Sequence, residues 1–230
     1  MRLITMARAA LLWMLFPTAA MAQSQVLDFS GPICGSGSEA CGFAVPIAQS
    51  YGDISGKLDI SYASLPGADG SPSPNTLWPW TLAEPGSYSG LVDVAYARHA
   101  DARGRITFDL AAGYELVLTG LDFGSYGGSL RASNLSIVAD GQAIAGFGDF
   151  TVGATPVHFT PNVTAHSSLV LTWGADAFNV GIDNIAFQVA PSGVGGVPEP
   201  ATWGMMVMGG ALAGGTLRRR SRRRQAPAQA

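Results

Sequence analysis

The residue types most often used in catalysis are few in this chain and form no known pattern. Its three histidines, His99, His158 and His166, make neither a His-x-x-x-His nor a His-Glu-x-x-His spacing, so the sequence has no local zinc signature. The Gly-Ser-Gly step at residues 35–37 lacks the spacing of a nucleophile elbow. Carboxylate pairs for glycoside hydrolysis can be drawn in many ways, because their separation cannot be read from sequence. We therefore predict no catalytic residue and no enzyme.

The two cysteines, Cys34 and Cys41, have six residues between them in a Gly/Ser-rich stretch. In an exported protein such a pair predicts a disulfide, which here would close a small ring after the first strand. By chain entropy a ring of this size stabilises the fold by roughly 2 kcal/mol. A metal site is the alternative, but it needs more ligands than two cysteines.

The segment Trp78-Pro79-Trp80 lies in a Pro-rich stretch that we predict to be a loop. Exposed indole rings beside acidic groups would offer stacking planes for sugars, which makes Trp78 and Trp80 candidate glycan-stacking residues. The alternative is that both rings pack down as a cover over the core, as large aromatic side chains commonly do.

Composition and charge exclude several classes of protein. The chain has 230 residues, of which 47% are hydrophobic and 13% charged, which argues against a disordered tail protein. Its 30 glycines and 14 prolines indicate many turns, as in an all-β domain. Residues 23–197 hold five basic and fifteen acidic residues, a net charge of −10. Such a balance disfavours nucleic acid as a partner and suits cations or neutral polymers.

The first 22 residues have the organisation of a secretory signal peptide. Arg2 and Arg8 form a basic region, residues 9–16 are apolar, and Ala20-Met21-Ala22 supplies small residues before a predicted cleavage after Ala22. A transmembrane anchor is the alternative, but the apolar run is far shorter than the roughly 20 residues that a bilayer needs.

Apolar and polar residues alternate with a period of two along most of residues 23–190. Ile106, Phe108 and Leu110 show this pattern, and it recurs in about nine segments separated by Gly, Pro, Asp and Asn clusters. No segment of ten or more residues has a 3.6-residue period outside the terminal apolar segments, which disfavours a βαβ fold. We therefore predict an all-β fold, a single β-sandwich of jelly-roll or Greek-key type.

The apolar face switches within the last predicted strand. Val180 and Ile182 are apolar at even positions and Ile185 and Phe187 at odd ones, which predicts a β-bulge at residues 183–184. The first and last strands weakly resemble those of galactose-binding-like jelly rolls. That resemblance implies a structural Ca²⁺ held by Asp183, with Asn184 and Asp28, although these are only part of the six to eight oxygens that calcium takes. The alternative is a polar bulge whose side chains cap local backbone groups.

The C-terminal region has three parts in a fixed order. Pro198-Glu199-Pro200 follows a loose linker, residues 201–217 are apolar and uncharged, and an arginine block ends the segment. Seventeen helical residues span roughly 25 Å, the least that crosses a thin membrane. The positive-inside rule would keep the arginines cytoplasmic, as a membrane stop. The stop comprises Arg218, Arg219, Arg220, Arg222, Arg223 and Arg224.

This arrangement resembles the PEP-CTERM protein-sorting signal of Gram-negative bacteria that produce exopolysaccharide. The resemblance covers residues 197–224 and implies that an exosortase recognises the chain and cuts it near Pro198, Glu199 and Pro200. The proline rings would keep this motif extended and stop a helix from growing into it. An ordinary tail anchor that contains a chance Pro-Glu-Pro is the alternative.

Together these features predict five regions and one destination. They are a signal peptide (1–22), a β-sandwich (23–190), a linker (191–197), a sorting signal (198–224) and a tail (225–230). The protein would pass transiently through the inner membrane and reach the cell surface or extracellular matrix. We expect a structural or carbohydrate-interacting role, with exosortase and extracellular polysaccharide as partners. The alternatives are a secreted polysaccharide-acting enzyme and a permanently anchored periplasmic domain.

Overall fold

The structure, a computed structural model, describes residues 22–34, 45–65, 73–74, 77–80 and 88–193, with only the backbone at residues 73–74. These residues form strands and two short 3₁₀ turns and contain no α-helix, which confirms the all-β class. The strands are β1 (Gln23–Leu27), β2 (Leu58–Leu65), β3 (Ser73–Pro74), β4 (Leu77–Trp80), β5 (Val94–Ala97), β6 (Arg103–Leu110), β7 (Tyr114–Ser125), β8 (Arg131–Ala139), β9 (Gln142–Ala143), β10 (Asp149–Val152), β11 (Val157–Phe159), β12 (Val163–Ala165), β13 (Ser168–Trp173) and β14 (Val180–Pro191).

The strands form two antiparallel sheets. Sheet 1 has the order β11-β7-β14-β5-β4, with β1 also paired to β14 and β12 also paired to β7. Sheet 2 has the order β10-β8-β13-β6-β2-β3, with β9 paired to β8. The 3₁₀ turn Tyr126–Gly128 connects β7 of sheet 1 to β8 of sheet 2. The other 3₁₀ turn, Tyr88–Gly90, precedes β5 of sheet 1. Strand β14, at the centre of sheet 1, has the most extensive pairing in that sheet.

The two sheets share one hydrophobic core. Phe187 of β14 meets Phe108 of β6 with ring centroids 5.4 Å apart, and Phe123 of β7 contacts Phe150 of β10 at 4.8 Å. Trp173 is fully buried and donates its indole N–H to the carbonyl of Val180 at 2.8 Å. Its ring lies against Gly104 so closely that a side chain there would collide with it.

The predicted alternation corresponds to real strands, but the loop prediction for Trp78-Pro79-Trp80 is wrong. These residues form β4, which pairs with β5 at the edge of sheet 1. An edge strand tolerates Pro79 because one of its sides needs no ladder hydrogen bond. Short strands such as β9 and β12 cannot be predicted from alternation, since two or three residues are too few to show a period of two.

Several predictions concern residues outside the described part of the chain. These are the signal peptide, Cys41 of the predicted disulfide, and the sorting segment from Pro198 onwards. Among the residues that the structure describes, no helix is long and apolar enough to cross a membrane. Strand β14 continues to Pro191, one residue into the predicted linker.

Candidate functional site: an aromatic strip and an acidic bulge

Strands β4 and β5 present aromatic side chains on the face of sheet 1 that lies away from the main core. Leu77, Ala95 and Ala97 belong to the main core, whereas the residues that alternate with them form a second apolar cluster. Trp78 pairs directly with Tyr96, and Trp80 with Val94. The period of two along both strands therefore separates a core side from an aromatic side.

Trp78 is well buried within this second cluster. Only 6% of its surface is exposed, and the guanidinium of Arg98 lies over its ring at 4.0 Å from the centroid. This cation–π contact covers much of the indole face. The glycan-stacking role of Trp78 stays a prediction, and it would require Arg98 to move away.

Trp80 is half-buried and leads to aromatic rings that reach the surface. Its ring meets Tyr126 at 5.2 Å and Tyr96 at 6.0 Å, and Tyr96 in turn meets Phe178 at 6.1 Å. Tyr126 is 41% exposed and Phe178 is 38% exposed. We call Trp80, Tyr96, Tyr126 and Phe178 the aromatic strip. It is a continuous row of rings, with two partly open to solvent.

The side chain of Tyr88 packs against the aromatic strip. Its ring contacts those of Trp80 and Tyr126, and its hydroxyl donates to the carbonyl of Phe178 at 2.8 Å. Burial raises the pKa of Tyr88 far above its usual range, so the phenol stays a hydrogen-bond donor. The loop that carries Phe178 is thus fixed to the strip by a buried hydrogen bond.

Sequence reasoning missed Tyr126 and Phe178. Both are single aromatic residues in polar turns, Ser125-Tyr126-Gly127 and Ala177-Phe178-Asn179. An aromatic residue within a turn is the signal that could have identified them, because turns lie at the surface. Their proximity to Trp80 depends on tertiary packing.

The predicted bulge in β14 is confirmed, and it has a partner in β7. The register between the strands shifts on both sides of Ala186, which pairs with Gly120. One irregularity includes Asn184, whose φ of 50° is left-handed, and the other leaves Thr119 without a direct partner. The extra residue of β14 at the first shift lets Ile182 and Phe187 both face the core although they differ by an odd number of positions. The second shift adds a residue to β7, so the two shifts cancel and the register of the pair is restored.

Three other aspartates lie near enough to Asp183, beside the bulge, for their charges to act on it. Asp183 is only 3% exposed and lies opposite Asp122. Burial raises the pKa of Asp183 to about 8, and the negative charges of Asp122, Asp28 and Asp93 add to this effect. Asp183 is therefore largely protonated at neutral pH.

Asp122 also holds a histidine on the outer face of sheet 1. Its carboxylate lies 2.6 Å from His158 Nδ1 and accepts a hydrogen bond from the Asn184 side-chain amide at 2.9 Å. The His158 ring lies next to Gly120, where an added Cβ would meet it at 3.4 Å. His166 lies elsewhere, 3.6 Å from Glu115.

The residues predicted to hold calcium are only partly assembled. The structure places Asp183 beside Asn184 and brings Asp28 close enough to raise the pKa of Asp183. Asp28 also accepts a hydrogen bond from the Tyr51 hydroxyl at 3.2 Å. Within the described ranges, no group of three or more His, Cys, Asp or Glu residues could hold a metal ion. The calcium site stays a prediction, and the negative charge around Asp183 is the feature that favours a cation.

The disulfide also stays a prediction, because Cys41 lies outside the described residues. Cys34 is partly buried against the main core, and its Sγ lies 3.5 Å from the carbonyl of Val45. This contact joins the segment that follows β1 to the one that precedes β2.

Comparison with known proteins settles the nature of the C-terminal segment. A family model described as the PEP-CTERM protein-sorting motif matches residues 196–223. The chain is a PEP-CTERM protein. The match overlaps the segment predicted at 198–224 but begins two residues earlier and ends one residue earlier, and it makes the chain an exported protein that is sorted and processed by an exosortase.

The other comparisons give little further information about this PEP-CTERM protein. No curated protein matches the chain. Among solved structures, an exo-β-1,3-galactanase from Phanerochaete chrysosporium with β-1,3-galactotriose matches at 14% identity and a TM-score of 0.28. The match covers 59% of this chain and 29% of the galactanase chain. The PEP-CTERM protein therefore spans less than a third of that structure's length.

Proposed function

We propose that the β-domain of this PEP-CTERM protein is a non-catalytic, carbohydrate-interacting module that works at the cell surface or in the extracellular matrix. The observation that carries the proposal is the aromatic strip. Tyr126 and Phe178 expose ring surface at one side of a sheet while their neighbours hold them in fixed positions. Rigid, partly exposed rings are suited to stacking against the apolar faces of sugar rings.

The net negative charge of the β-domain argues against an acidic polysaccharide as the ligand. The net charge of −10 over residues 23–197 would repel an acidic polymer. Arg98, the cation nearest to the second cluster, is already engaged with the ring of Trp78. We infer a neutral polysaccharide as the ligand.

The route to that location follows from the two ends of the chain. A signal peptide is removed after Ala22, and residues 201–217 span the inner membrane until an exosortase cuts near Pro198, Glu199 and Pro200. The β-domain itself is a jelly-roll-like sandwich. The order of the strands supports this. Strands β5 and β7 belong to sheet 1, and β6 and β8 belong to sheet 2, so successive strands alternate between the sheets as they do in a jelly roll.

Affinity electrophoresis tests this function. The full chain should be retarded by a neutral polysaccharide such as a glucan or a galactomannan, and the double variant Tyr126→Ala/Phe178→Ala should be retarded less. Val26→Ala, which also truncates an exposed apolar side chain but on β1, is the matched control. Equal retardation of all three proteins would contradict a role for the strip.

A second candidate, a secreted enzyme acting on polysaccharide, rests on one observation. His158 is mostly exposed, and its contact with Asp122 is short enough to hold the imidazole in one orientation. A carboxylate that orients a histidine is a component of many acid–base sites. Release of reducing ends from a polysaccharide by the wild type, lost in His158→Ala, would favour the enzyme.

A further inference from the structure

The two exposed rings of the aromatic strip are carried by turns that are joined to each other. Tyr126 begins the 3₁₀ turn after β7, and Phe178 lies in the turn before β14. The backbone N–H of Tyr126 donates to the carbonyl of Asn179 at 2.8 Å, which extends the pairing of β7 with β14 by one residue. The turns that carry the two exposed rings therefore lie next to each other at one end of sheet 1.

Two consecutive residues, Tyr88 and Ser89, hydrogen-bond to both of these turns. The Tyr88 hydroxyl donates to the carbonyl of Phe178 at 2.8 Å, and the Ser89 hydroxyl accepts the backbone N–H of Ser125 at 2.7 Å. Ser125 directly precedes Tyr126 in the chain. One short segment therefore fixes the turn of each exposed ring.

This segment occupies a depression in the outer face of sheet 1. Gly124 of β7 and Gly181 of β14 pair directly, so neither strand places a side chain at this point. A Cβ added at Gly124 would collide with the carbonyl of Tyr88, and one added at Gly181 would meet Tyr88 Cδ1 at 3.0 Å. Tyr88 is only 1% exposed. The segment that fixes both turns is thus itself held by close packing on the sheet.

The backbone of Ser89 is left-handed, with φ 55° and ψ 26°, and its side chain is buried. Residues other than glycine adopt this region at a cost and keep it where the surrounding contacts require it. In this conformation the Ser89 hydroxyl lies between the backbone N–H of Ser125 and the carbonyl of Gly153, to which it donates. Both hydrogen-bonding roles of the hydroxyl are therefore used in joining the segment to the neighbouring turns.

The spacing of the rings indicates the length of ligand that could use both. Ring-to-ring steps of 5.2, 6.0 and 6.1 Å lead from Tyr126 through Trp80 and Tyr96 to Phe178. Tyr96 is only 5% exposed, so the most accessible rings lie at the two ends of this row. Because one stacked pyranose covers about one aromatic ring, a saccharide that covers both ends needs more than one sugar unit.

From these contacts we propose that Tyr88 and Ser89 are positioning residues, which hold Tyr126 and Phe178 at the spacing at which both rings stack on one neutral saccharide chain. The inference rests on the proposed carbohydrate-interacting function and deepens it, because it names the ligand as a chain of several sugar units. Two rings that are fixed in advance bind one chain without the cost of ordering two separate turns.

Two matched tyrosine variants of the full chain test the proposal. Tyr88→Phe removes the hydroxyl that fixes the Phe178 turn and keeps the ring within its cluster. Tyr62→Phe is the control, because the buried Tyr62 also donates its hydroxyl to a backbone carbonyl, that of Tyr51, at 2.8 Å. Tyr62 belongs to β2 of sheet 2, so the two variants lose the same kind of hydrogen bond in different sheets.

Ser89→Ala is an independent variant, because it acts on the turn that carries Tyr126. Each protein is purified in a zwitterionic detergent, so that no sugar head group competes. Titrations followed by tryptophan fluorescence compare cellobiose with cellotetraose and mannobiose with mannotetraose. Urea unfolding of the same proteins separates effects on stability from effects on binding.

We expect the wild type to bind one of the tetrasaccharides at least about tenfold more tightly than its disaccharide, because the second ring then engages the same chain. In Tyr88→Phe and Ser89→Ala this ratio should fall about fivefold, while the affinity for the disaccharide stays nearly the same. Tyr62→Phe should lose about as much stability as Tyr88→Phe and keep the wild-type ratio.

An unchanged ratio in Tyr88→Phe or in Ser89→Ala would overturn the positioning role of that residue. An equal fall in Tyr62→Phe would overturn it for both, since binding would then follow stability alone. A wild-type protein that binds the tetrasaccharides no more tightly than the disaccharides would overturn the use of both rings and leave the proposed function intact. A wild-type protein that binds neither these oligosaccharides nor a neutral polysaccharide would instead refute the proposed function.

Discussion

Asp122 and Asp183 lie directly opposite each other on the paired strands β7 and β14, and Asp183 is almost fully buried. Burial raises the pKa of Asp183 to about 8, and the negative charge of the facing Asp122 adds to this effect, so Asp183 keeps its proton at neutral pH. Asp122 lies against His158 Nδ1 and accepts a hydrogen bond from the side-chain amide of Asn184. The central strand of sheet 1 therefore contains a group that titrates near neutral pH.

This group should make folding stability depend on pH. The pKa of Asp183 is raised from 3.8 to about 8, so the folded state binds the proton more tightly than the unfolded state between these values. Stability should therefore fall as the pH rises from about 4 to about 8. Asp183→Asn should remove this slope and raise the free energy of unfolding at pH 8 by at least about 1 kcal/mol, one pKa unit being worth roughly 1.4 kcal/mol. Urea unfolding at several pH values measures this, with the exposed Asp59→Asn as the control. An unchanged slope in Asp183→Asn would show that the proton is bound elsewhere.

Calcium provides a separate test of the same bulge. If Ca²⁺ binds at Asp28, Asp183 and Asn184, it binds the ionised form of Asp183, so its stabilising effect should be larger at pH 8 than at pH 6. At a calcium concentration 100 times the dissociation constant, the gain is about 2.7 kcal/mol. Thermal melts with calcium and with EDTA measure it. Identical melts at both pH values would exclude a calcium site at the bulge.

Trp78 and Phe178 should differ in how much they stabilise the fold. Trp78 is buried beneath Arg98, so Trp78→Ala should cost about 3–5 kcal/mol of stability. Phe178→Ala, at a more exposed ring of the strip, should cost less than about 1 kcal/mol, as most surface changes do. Chemical denaturation compares the two variants. A Trp78→Ala protein as stable as the wild type would mean that the ring is free to stack on a ligand.

A loop in sheet 2 should be sensitive to acid. The carboxylate of Asp140 accepts hydrogen bonds from the backbone N–H groups of His166, Ser167 and Ser168 and from the Ser167 hydroxyl. Although partial burial acts to raise its pKa, these bonds hold the pKa of Asp140 at about 2. The contribution of Asp140 to the free energy of unfolding is present above about pH 4 and is lost as the pH falls through about 2.

Asp140→Ala should therefore lower stability by about 1–2 kcal/mol at pH 7 and flatten the acid side of the stability profile. Asp140→Asn keeps a side chain that tolerates the left-handed φ of 51° and should lose less. Melting temperatures between pH 2 and pH 7 compare the three proteins. Equal acid sensitivity in Asp140→Ala and the wild type would contradict this account.

The sequence predicts this fold well where alternation is long and poorly where contacts are distant. The face switch at residues 183–184 predicted a bulge because side-chain direction has a fixed period of two. The gathering of Asp28, Asp93 and Asp122 around Asp183 was not predictable, since it depends on which strands lie next to β14. Trp80 and Tyr126 also meet only through packing. Local patterns thus identify strands, whereas the sites form where separate strands and turns converge.

The central claim, that the chain is exported and processed at its C-terminal motif, is tested most directly by its intact mass. The protein is recovered from the producing bacterium and each cell fraction is analysed by mass spectrometry. We expect an extracellular or surface species that begins at Gln23 and ends near Pro198, Glu199 and Pro200. A chain in which the arginines from Arg218 to Arg224 are deleted should not be processed in this way. If the protein is recovered only from the membrane fraction, with a mass that includes all residues up to Ala230, the account is contradicted. The C-terminal segment would then be a permanent anchor.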